Sequence, residues 1–341
     1  DYPPLNSHLQ PPYPAVAHVA FVVWCGVWGS MFILLERVTH ALGPVEIALW
    51  RFGGGTAALG AIWWLTQRDY RLSRSDWLKI VFVALVFNAP PQIILPYLIH
   101  QGFGHSFFGP MVAPIPLITI LVSIPLLGVL PTGRQLAGVL GGLACMWLIV
   151  DDGFDRGMSL TFIALTLTIP LSSAVCNTVI KWKLASVPAV PLTTAILIIA
   201  GLSLAPLQLY PAGMNVLHLS APASSAPTLQ TWLYLFVLGV VGTGISTAVF
   251  VWMILERGPL FAGMTTYVVP VLSLLWGTVD RERISLQQMA AIAGVLAMVA
   301  LVQSGSRRVT VIAEPAAPPQ SLPLPETAGD SLALQPETQV A

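Results

Sequence analysis

Long apolar stretches separated by short polar loops run through most of the chain, and the loops carry most of its charged residues. A helix needs about 20 mostly apolar residues to cross the hydrocarbon core of a bilayer. Ten stretches meet this requirement, near residues 17–35, 45–66, 77–99, 104–128, 133–150, 159–181, 190–210, 230–255, 259–278 and 285–303. Because lipid cannot satisfy exposed backbone groups and the alternation typical of membrane strands is absent, the pattern predicts an all-α membrane protein with ten transmembrane helices.

The two ends of the chain lack this pattern. Residues 1–16 are rich in proline and predict a flexible N-terminal segment without a secretory signal, since no charged n-region precedes the first apolar stretch. Residues 306–341 are rich in Pro, Ala, Glu and Thr without an apolar period, which predicts a disordered cytoplasmic tail. Residues 17–150 and 159–305 are left for the two halves of the membrane domain.

Composition agrees with a membrane protein and excludes several other classes. Hydrophobic residues make up 55% of the chain and charged residues 9%, against roughly 25% charged residues in a soluble globular domain. The net charge is zero, so the sequence indicates no basic surface for nucleic acid. The three cysteines show no CxxC or metal-like spacing, and we expect neither a cofactor nor a metal site.

The distribution of Lys and Arg among the loops predicts the orientation in the membrane. If the N-terminus is cytoplasmic, the cytoplasmic segments hold ten Lys and Arg residues and the opposite segments hold four. Cytoplasmic loops carry an excess of these residues in membrane proteins. We therefore expect a multi-pass protein of the inner (plasma) membrane with both termini in the cytoplasm.

The two halves of the chain resemble each other. Pro116 in the fourth predicted helix and Pro270 in the ninth each lie seven residues after a glycine, and they are 270 − 116 = 154 residues apart. Gly138 and Gly294 lie in matching Ala-Gly-Val-Leu segments and are 294 − 138 = 156 residues apart. The chain is therefore expected to contain two repeats of five helices each.

An odd number of helices per repeat has a topological consequence. The second repeat must enter the membrane from the opposite side, which gives two inverted five-helix repeats. Secondary transporters often have this arrangement, because two similar halves packed in opposite senses can exchange conformations and open a central site to each side in turn. The alternative interpretation is that the duplication only builds a stable bundle.

Four segments carry a resemblance to a known family: residues 28–32 (WGSMF), 49–52 (LWRF), 256–259 (ERGP) and 267–271 (YVVPV). With their spacing, they resemble the ten-helix EamA-type members of the drug/metabolite transporter superfamily over residues 17–305. The resemblance implies ten helices, a central cavity between the halves, and export or exchange of small solutes. It does not imply one substrate, because members handle amino acids, other metabolites and drugs, and nucleotide-sugar carriers are more distant relatives.

Charged residues within the spans are the first candidates for function, because a charge inside the membrane is costly. Arg51 lies within the second predicted helix. Its side chain either extends outward to water and lipid phosphate, or points inward and offers its guanidinium to a carboxylate or phosphate of the substrate. Glu36 and Glu46 lie at helix ends, either in interfacial water or as a carboxylate that couples transport to protons.

The third predicted helix combines polar side chains with two prolines. Asn88 and Gln92 are four residues apart and therefore share one face. Between them, Pro90 and Pro91 remove backbone donors and predict a kink or a break. Backbone carbonyls freed at such a place can line a cavity. We expect Asn88 and Gln92 to bind substrate, with ordinary hydrogen bonding between helices as the alternative. The two prolines, together with Pro116 and Pro270 of the repeat, are expected to act in gating.

The remaining substrate-binding candidates are midspan polar or aromatic residues: Trp28, Asn177, Thr247, Trp252 and Tyr267. Trp28 and Trp252 lie too deep in their spans for the aromatic belts at the membrane surface, so they are expected to wall the cavity by stacking on a substrate. Plain packing is the alternative for both. For the hydroxyl groups, the alternative is ordinary hydrogen bonding between helices.

These observations predict a secondary transporter that exports or exchanges a small metabolite, such as an amino acid or related amphiphile, by alternating access. No Walker A sequence for ATP hydrolysis occurs, so the energy comes from an ion gradient, with protons as a candidate, or from the gradient of the substrate. The alternatives are a multidrug or nucleotide-sugar-like carrier, an intramembrane enzyme, for which HExxH and GxSxG are missing, or a receptor. Both a monomer and a homodimer remain open.

Overall fold

The structure is a computed structural model that describes residues 14–101, 105–128, 132–155, 157–210, 219, 226–259, 262, 268–282 and 284–304. Helices account for most of these residues, and no strand occurs among them. Residues 1–13, the predicted tail at 306–341 and most of the loop at 211–228 lie outside the described residues. The all-helical class predicted from the sequence is confirmed for the part of the chain that the structure describes.

The first half contains, in chain order, α1 (Pro14–Thr39), α2 (Pro44–Thr66), α3 (Arg74–Val83), the π-helical segment π1 (Ala84–Asn88), α4 (Ala89–His100), α5 (His105–Met111), α6 (Ile115–Leu127) and α7 (Gly133–Asp155). The second half contains α8 (Leu160–Lys183), α9 (Ala189–Leu204) with a 3₁₀ turn (Ala205–Leu209), α10 (Leu229–Phe236), the segment π2 (Val237–Ile245), α11 (Ser246–Arg257), α12 (Val268–Val279) and α13 (Leu286–Ser304). α1 begins at Pro14, within the segment that the sequence predicted to be flexible.

Six helices of the described chain are long and apolar enough to cross a membrane: Arg74–His100, Phe107–Leu127, Gly133–Asp152, Leu160–Lys183, Ala189–Leu209 and Leu229–Glu256. Val269–Val279 and Leu286–Met298 are shorter apolar helices at the places of the ninth and tenth predicted spans. α1 and α2 occupy the first and second. The chain is therefore a multi-helix membrane protein, and the number of ten spans stays a prediction.

In the part of the chain that the structure describes, the third, fourth and eighth predicted spans depart from a continuous α-helix in their interior. The fourth is divided into α5 and α6 by a turn at residues 112–114. The third and the eighth are continuous helices but contain π1 and π2, respectively. In a π-helix each backbone hydrogen bond joins residues five apart, whereas in an α-helix it joins residues four apart. The predicted break at Pro90 and Pro91 does not occur, because the helix runs without interruption from Arg74 to His100 and both prolines follow directly after π1.

The backbone around these two prolines is stabilised from another helix. Pro91 cannot donate to the carbonyl four residues earlier, which is that of Phe87. Ser172 of α8 supplies a donor instead, since its Oγ donates to the Phe87 carbonyl over 2.9 Å. The carbonyl that the sequence predicted to be freed therefore accepts a side-chain hydrogen bond between helices.

The second helices of the two halves, α2 and α9, pack against each other in opposite directions. Gly55 of α2 lies against Leu197 of α9. Phe52, three residues before Gly55, lies against Gly201, four residues after Leu197. Residue numbers thus rise along one helix as they fall along the other. Two corresponding helices that run antiparallel are what an inverted repeat requires.

The fifth helices of the two halves, α7 and α13, show the same relation. Gly141 of α7 lies against Met298 of α13, and Cys145, four residues later, lies against Gly294, four residues earlier. This pair is therefore antiparallel as well. The small residues allow close contact between the two helices, as is common in membrane bundles.

Glycines bring α2 into backbone contact with π2. A Cβ atom on Gly55 would lie 3.1 Å from the Gly244 nitrogen, and one on Gly239 would lie 3.2 Å from the Trp50 carbonyl oxygen. No larger residue fits at these positions without moving a backbone. A Cβ atom on Gly53, in contrast, would meet no neighbouring atom within 4 Å, although Gly53 belongs to the same Gly-Gly-Gly run.

Two large apolar clusters form the core. One is built around α2, α8, α9 and α11 and includes Phe52, Leu192 and Phe250. The other is built around α1, α4, α5 and α8 and includes Phe107. Trp28 packs against both clusters. It therefore lies at the centre of the molecule, where the two clusters meet.

Candidate functional site

Two adjoining cavities of about 100 and 110 Å³ lie between the two halves. The first, the Arg51 cavity, is bounded by α1, α2, α4, α6, α8 and π2, and the second, the Asn88 cavity, extends from π1 to α9 and α11. Both are lined by Trp28, Pro91, Gln92, Ile115 and Ser173. Because they share this wall, we treat them together as the central cavity.

Six of the eight substrate-binding residues predicted from the sequence line the central cavity: Arg51, Trp28, Asn88, Gln92, Asn177 and Thr247. Trp252 does not, because it faces a separate groove with Leu59 and Glu256, and its side chain is partly exposed. Tyr267 lies outside the described residues. Six residues that are distant in sequence thus come together, and Trp252 is not among them.

Arg51 points into the molecule. Its Nε donates to the Thr243 Oγ1 over 3.0 Å, a contact that the glycine-mediated approach of α2 and π2 makes possible. The ion pairs within the described residues are Arg37–Asp280 and Lys79–Asp76, so Arg51 has no carboxylate partner among these residues. Of the two orientations that the sequence left open, the structure has the inward one.

The Asn88 cavity contains two buried polar atoms without a partner. Asn88 Oδ1 and Thr193 Oγ1 are inaccessible to bulk solvent, and neither makes a hydrogen bond within the described residues. Leaving such a group unsatisfied costs about 1–3 kcal/mol, so these atoms are normally satisfied by water or a ligand. Both line the cavity beside Asn177 and Thr247. This wall can therefore hydrogen-bond to a polar solute.

An aromatic stack forms another wall. The ring centroid of Trp24 lies 4.7 Å from that of Trp28 and 5.1 Å from that of Phe250, with interplanar angles of 24° and 13°. Trp24 Nε1 donates to the Ser246 carbonyl over 2.6 Å, which holds α1 against α11. Trp28 and Phe250 line the cavity, while Trp24 is buried behind them. The wall offers a flat apolar surface to a solute.

The two halves contribute to the cavity at equivalent positions. An offset of 155, between the two offsets found in the sequence, relates Asn88 to 88 + 155 = 243 and Gln92 to 92 + 155 = 247. Thr243 and Thr247 occupy those positions and line the cavity. The repeat thus provided a signal that could have identified Thr243 as a site residue.

Other lining residues carried no sequence signal. Thr193 is one of many midspan threonines, and Phe250 is one of 13 phenylalanines in the chain. Their side chains reach the cavity only because α9 and α11 are packed with a particular face towards it. Sequence reasoning missed both for this reason.

The prolines predicted to act in gating occupy different places. Pro91 lines both cavities, while Pro90 is half-buried beside it. Pro116 is buried in the first turn of α6. Pro270 is buried near the start of α12, and its carbonyl accepts a hydrogen bond from Ser273 Oγ over 2.9 Å. Each lies near the start of a helix, and a role in gating stays a prediction.

The carboxylates considered for proton coupling do not line the cavity. Glu46 accepts a hydrogen bond from the Gly43 backbone N–H over 3.1 Å in a capping box at the start of α2, which accounts for it structurally. Glu36 lies near the end of α1. Among the described residues that line the central cavity, Arg51 is the charged one, and there is no Asp or Glu.

Comparison with known proteins gives a family and a fold. The model of the EamA-like transporter family matches residues 16–151 and 160–304. The chain is similar to a solved crystal structure with a TM-score of 0.63 and 19% identity, over 87% of this chain and 99% of that one. At this identity the likeness shows the fold alone. No curated protein matches the chain significantly.

The family match covers both repeats and agrees with the resemblance found in the sequence, which is thereby confirmed. It also places the chain in a family of membrane transporters of the drug/metabolite superfamily, whose members are transporters rather than enzymes. Because the family model matches well over half of the chain in two consecutive copies, this protein belongs to the EamA-like transporter family.

Proposed function

We propose that the chain is a secondary transporter that exports or exchanges a small metabolite across the inner membrane by alternating access. The observation that carries this proposal is the central cavity, which both repeats line and which contains the inward-pointing Arg51. A guanidinium in the interior of a membrane protein is costly, and such residues commonly mark substrate pathways. Membership of a transporter family supports the same conclusion.

The antiparallel packing of the repeats supports alternating access. α2 packs on π2 of the opposite repeat, and α9, the counterpart of α2, packs on π1. If the two repeats exchange conformations, these two contacts exchange roles, and the cavity opens to the other side. π-helical segments are frequent at functional sites and change the helix geometry locally, so π1 and π2 are the elements that we expect to move.

The size of the cavity favours a small solute. On the scale of these cavity volumes one water needs about 10–15 Å³, so volumes of about 100 and 110 Å³ have room for several waters each. A metabolite the size of an amino acid fits this space better than a nucleotide sugar or a large drug. This favours the metabolite carrier over the multidrug and nucleotide-sugar-like alternatives.

The same lining residues support a proposal for the energy source. No described lining residue is a carboxylate, so a proton-coupling Asp or Glu at the substrate is not supported. We therefore propose that the substrate gradient, or exchange against a second solute, drives transport. A proton or another ion bound elsewhere is the alternative. Reconstituted vesicles with and without a pH gradient separate the two, because only proton coupling makes the initial rate depend on that gradient.

Metabolite export by intact cells tests the transport function. Cells that express the chain are compared with cells that express Ser173→Trp, which fills the wall shared by both cavities. Thr168→Trp, on an exposed face of the same helix, is the matched control. We expect at least one metabolite to accumulate in the medium with the natural chain and the control but not with Ser173→Trp. An unchanged metabolite profile at equal membrane levels contradicts a transporter and favours an intramembrane enzyme or receptor.

The proposed orientation has both termini in the cytoplasm. It rests on the distribution of Lys and Arg, and six apolar helices support only a multi-pass protein. Reporter fusions at Ala316 and within residues 211–228 should lie on opposite sides of the membrane. Reporters on the same side contradict this topology.

A further inference from the structure

The charge of the central cavity is not balanced by the protein. Arg51 contributes one positive charge, and the described lining residues include no Asp or Glu that could neutralise it. The remaining lining residues are apolar, aromatic, hydroxyl or amide side chains. In such surroundings an isolated charge is strongly stabilised by a ligand of opposite sign, because the low dielectric weakens screening.

The geometry of Arg51 leaves part of its guanidinium available. Nε is used in the hydrogen bond to Thr243 Oγ1, and Arg51 makes no other hydrogen bond within the described residues. A guanidinium has five donors, and two parallel N–H groups match the two oxygens of a carboxylate. Thr243 thus fixes the side chain while other donors remain for a ligand that enters the Arg51 cavity.

One positive charge sets the preferred charge of the ligand. A carboxylate carries one negative charge and is neutralised by Arg51 alone. A phosphate monoester carries about −1.5 to −2 charges at neutral pH and would need a second cation, which the described lining lacks. A zwitterion would bring an ammonium group, to which the described lining offers neutral acceptors such as Asn88 Oδ1 but no carboxylate, and a cation would be repelled by Arg51.

The shape of the ligand is indicated by the aromatic wall. Trp28 lines both cavities. The centroid of its ring lies 6.0 Å from the centroid of the Phe250 ring, and the angle between the two ring planes is 17°. Flat apolar groups pack well on such rings. Since Trp28 lines the same Arg51 cavity, one ligand can contact both the guanidinium and the indole ring.

We propose that the central cavity binds a small organic monocarboxylate with a flat apolar body, in preference to a zwitterion or a cation of the same shape. Arg51 holds the carboxylate, Trp28 and Phe250 hold the apolar body, and Thr243 positions Arg51. This inference rests on the proposed transport function of the same cavity and states the chemical class of its substrate.

Binding to the purified full-length chain in lipid nanodiscs tests the preference directly. Labelled 3-phenylpropanoate is displaced by four unlabelled compounds with the same ring: phenylalanine, phenylethylamine, 3-phenylpropanamide and phenyl phosphate. We expect 3-phenylpropanoate to bind at least about tenfold more tightly than each of them, because only it makes the charged hydrogen bonds without an uncompensated group. Equal or tighter binding of the zwitterion, the cation or the phosphate overturns the proposal, as does no binding of 3-phenylpropanoate at millimolar concentration.

Substitution of Arg51 tests whether this residue is responsible for the preference for the carboxylate. In Arg51→Gln we expect the affinity for 3-phenylpropanoate to fall by about tenfold or more, while the affinity for its amide stays the same. The acid and the amide should then bind equally well. Arg51→Lys keeps the charge without the planar pair of donors and should retain an intermediate preference. Arg71→Gln, an exposed arginine in the loop before α3, removes the same charge elsewhere and should change nothing. A preference for the acid that survives in Arg51→Gln overturns the assignment.

Failure of this inference and failure of the proposed function give different results. If 3-phenylpropanoate binds as expected but no carboxylate crosses the membrane of reconstituted vesicles, the site is correct and transport is wrong. If metabolites are exported but the matched compounds show no preference for the acid, transport is correct and the substrate class is wrong.

Discussion

The helix that contains π1 and the corresponding helix that contains π2 depart from α-helical geometry at the same place by different means. In the first half, Pro90 and Pro91 follow π1, and Ser172 donates to the carbonyl of Phe87. In the second half, π2 contains no proline and instead has glycines, of which Gly244 lies in backbone contact with α2. The two repeats therefore share a π-helical segment at corresponding positions although the residues around it differ.

The same two regions differ more strongly in chemistry. Asn88 and its counterpart Thr243 both line the cavity, but Thr243 is hydrogen-bonded to Arg51 and the Asn88 oxygen has no partner within the described residues. Arg51 follows Pro44 by seven residues, and the residue seven after Pro188 is Ala195. Two repeats with a similar order of helices thus enclose an asymmetric site, which suits an asymmetric solute.

The largest expected effect comes from separating Thr243 from Arg51. Thr243→Val keeps the shape but removes the acceptor for the Arg51 Nε–H. A hydrogen bond to a charged group contributes about 1.5–3 kcal/mol, so the free energy of unfolding should fall by about that amount. Unfolding by SDS in mixed micelles measures the change. Thr243→Ser, which retains the hydroxyl, is the control, and a loss of equal size in both would contradict a role for the hydrogen bond.

The second prediction concerns the glycine contact between α2 and π2. Gly55→Ala places a Cβ 3.1 Å from the Gly244 nitrogen, and such overpacking should lower the free energy of unfolding by about 1–3 kcal/mol. Gly53→Ala is the matched control, because nothing lies within 4 Å of its Cβ. There the higher helix propensity of alanine should raise stability by up to about 1 kcal/mol. Equal effects of the two variants, measured by the same unfolding assay, would show that this contact is not close.

Substitution of Asn88 should change stability in the opposite sense to substitution of its counterpart Thr243. Asn88→Leu removes an unsatisfied buried group of similar size, so stability should stay unchanged or rise by about 1 kcal/mol. Metabolite export should nevertheless fall, because the cavity loses a polar contact. Full export with Asn88→Leu would remove this residue from the site, and a clear loss of stability would show that its oxygen has a partner in the folded protein.

The smallest effect on stability is expected for the prolines. Pro90→Ala combined with Pro91→Ala restores two backbone donors in a helix that is already continuous. The free energy of unfolding should therefore stay within about 0.5 kcal/mol of that of the natural chain, or rise above it. Export should fall severalfold if the segment after π1 moves during transport. Pro125→Ala, within α6, is the control on another helix. Unchanged export would count against this region as a gating element.

Much of the fold followed from the sequence because its causes are local. A run of apolar residues long enough to span a bilayer predicts a helix wherever it occurs, and the repeat relates the halves without knowledge of their packing. Asn88 and Gln92 share a face for the same reason, since four residues make about one turn of a helix. The family could be recognised from short segments such as residues 28–32 and 49–52.

Some predictions failed where the outcome depended on neighbouring helices. The two prolines after π1 were expected to kink or break the helix, but no break occurs there, and Ser172 of another helix donates to the nearby Phe87 carbonyl. Trp252 was expected in the cavity on account of its depth in the span, yet its helix presents it to a separate groove. Depth along a helix can be counted in the sequence, whereas the direction of a side chain around the helix is set by packing.

The sequence by itself determined that this protein is a helical membrane protein of two repeats with Arg51 well inside its second span, because hydrophobicity, spacing and charge are properties of the chain. Only the tertiary structure decided that Arg51 points inward to Thr243, and that Thr193 and Phe250 reach the same cavity. The physical reason is that these contacts join residues from different helices. Their distances depend on how closely glycines let the helices approach, which no local pattern specifies.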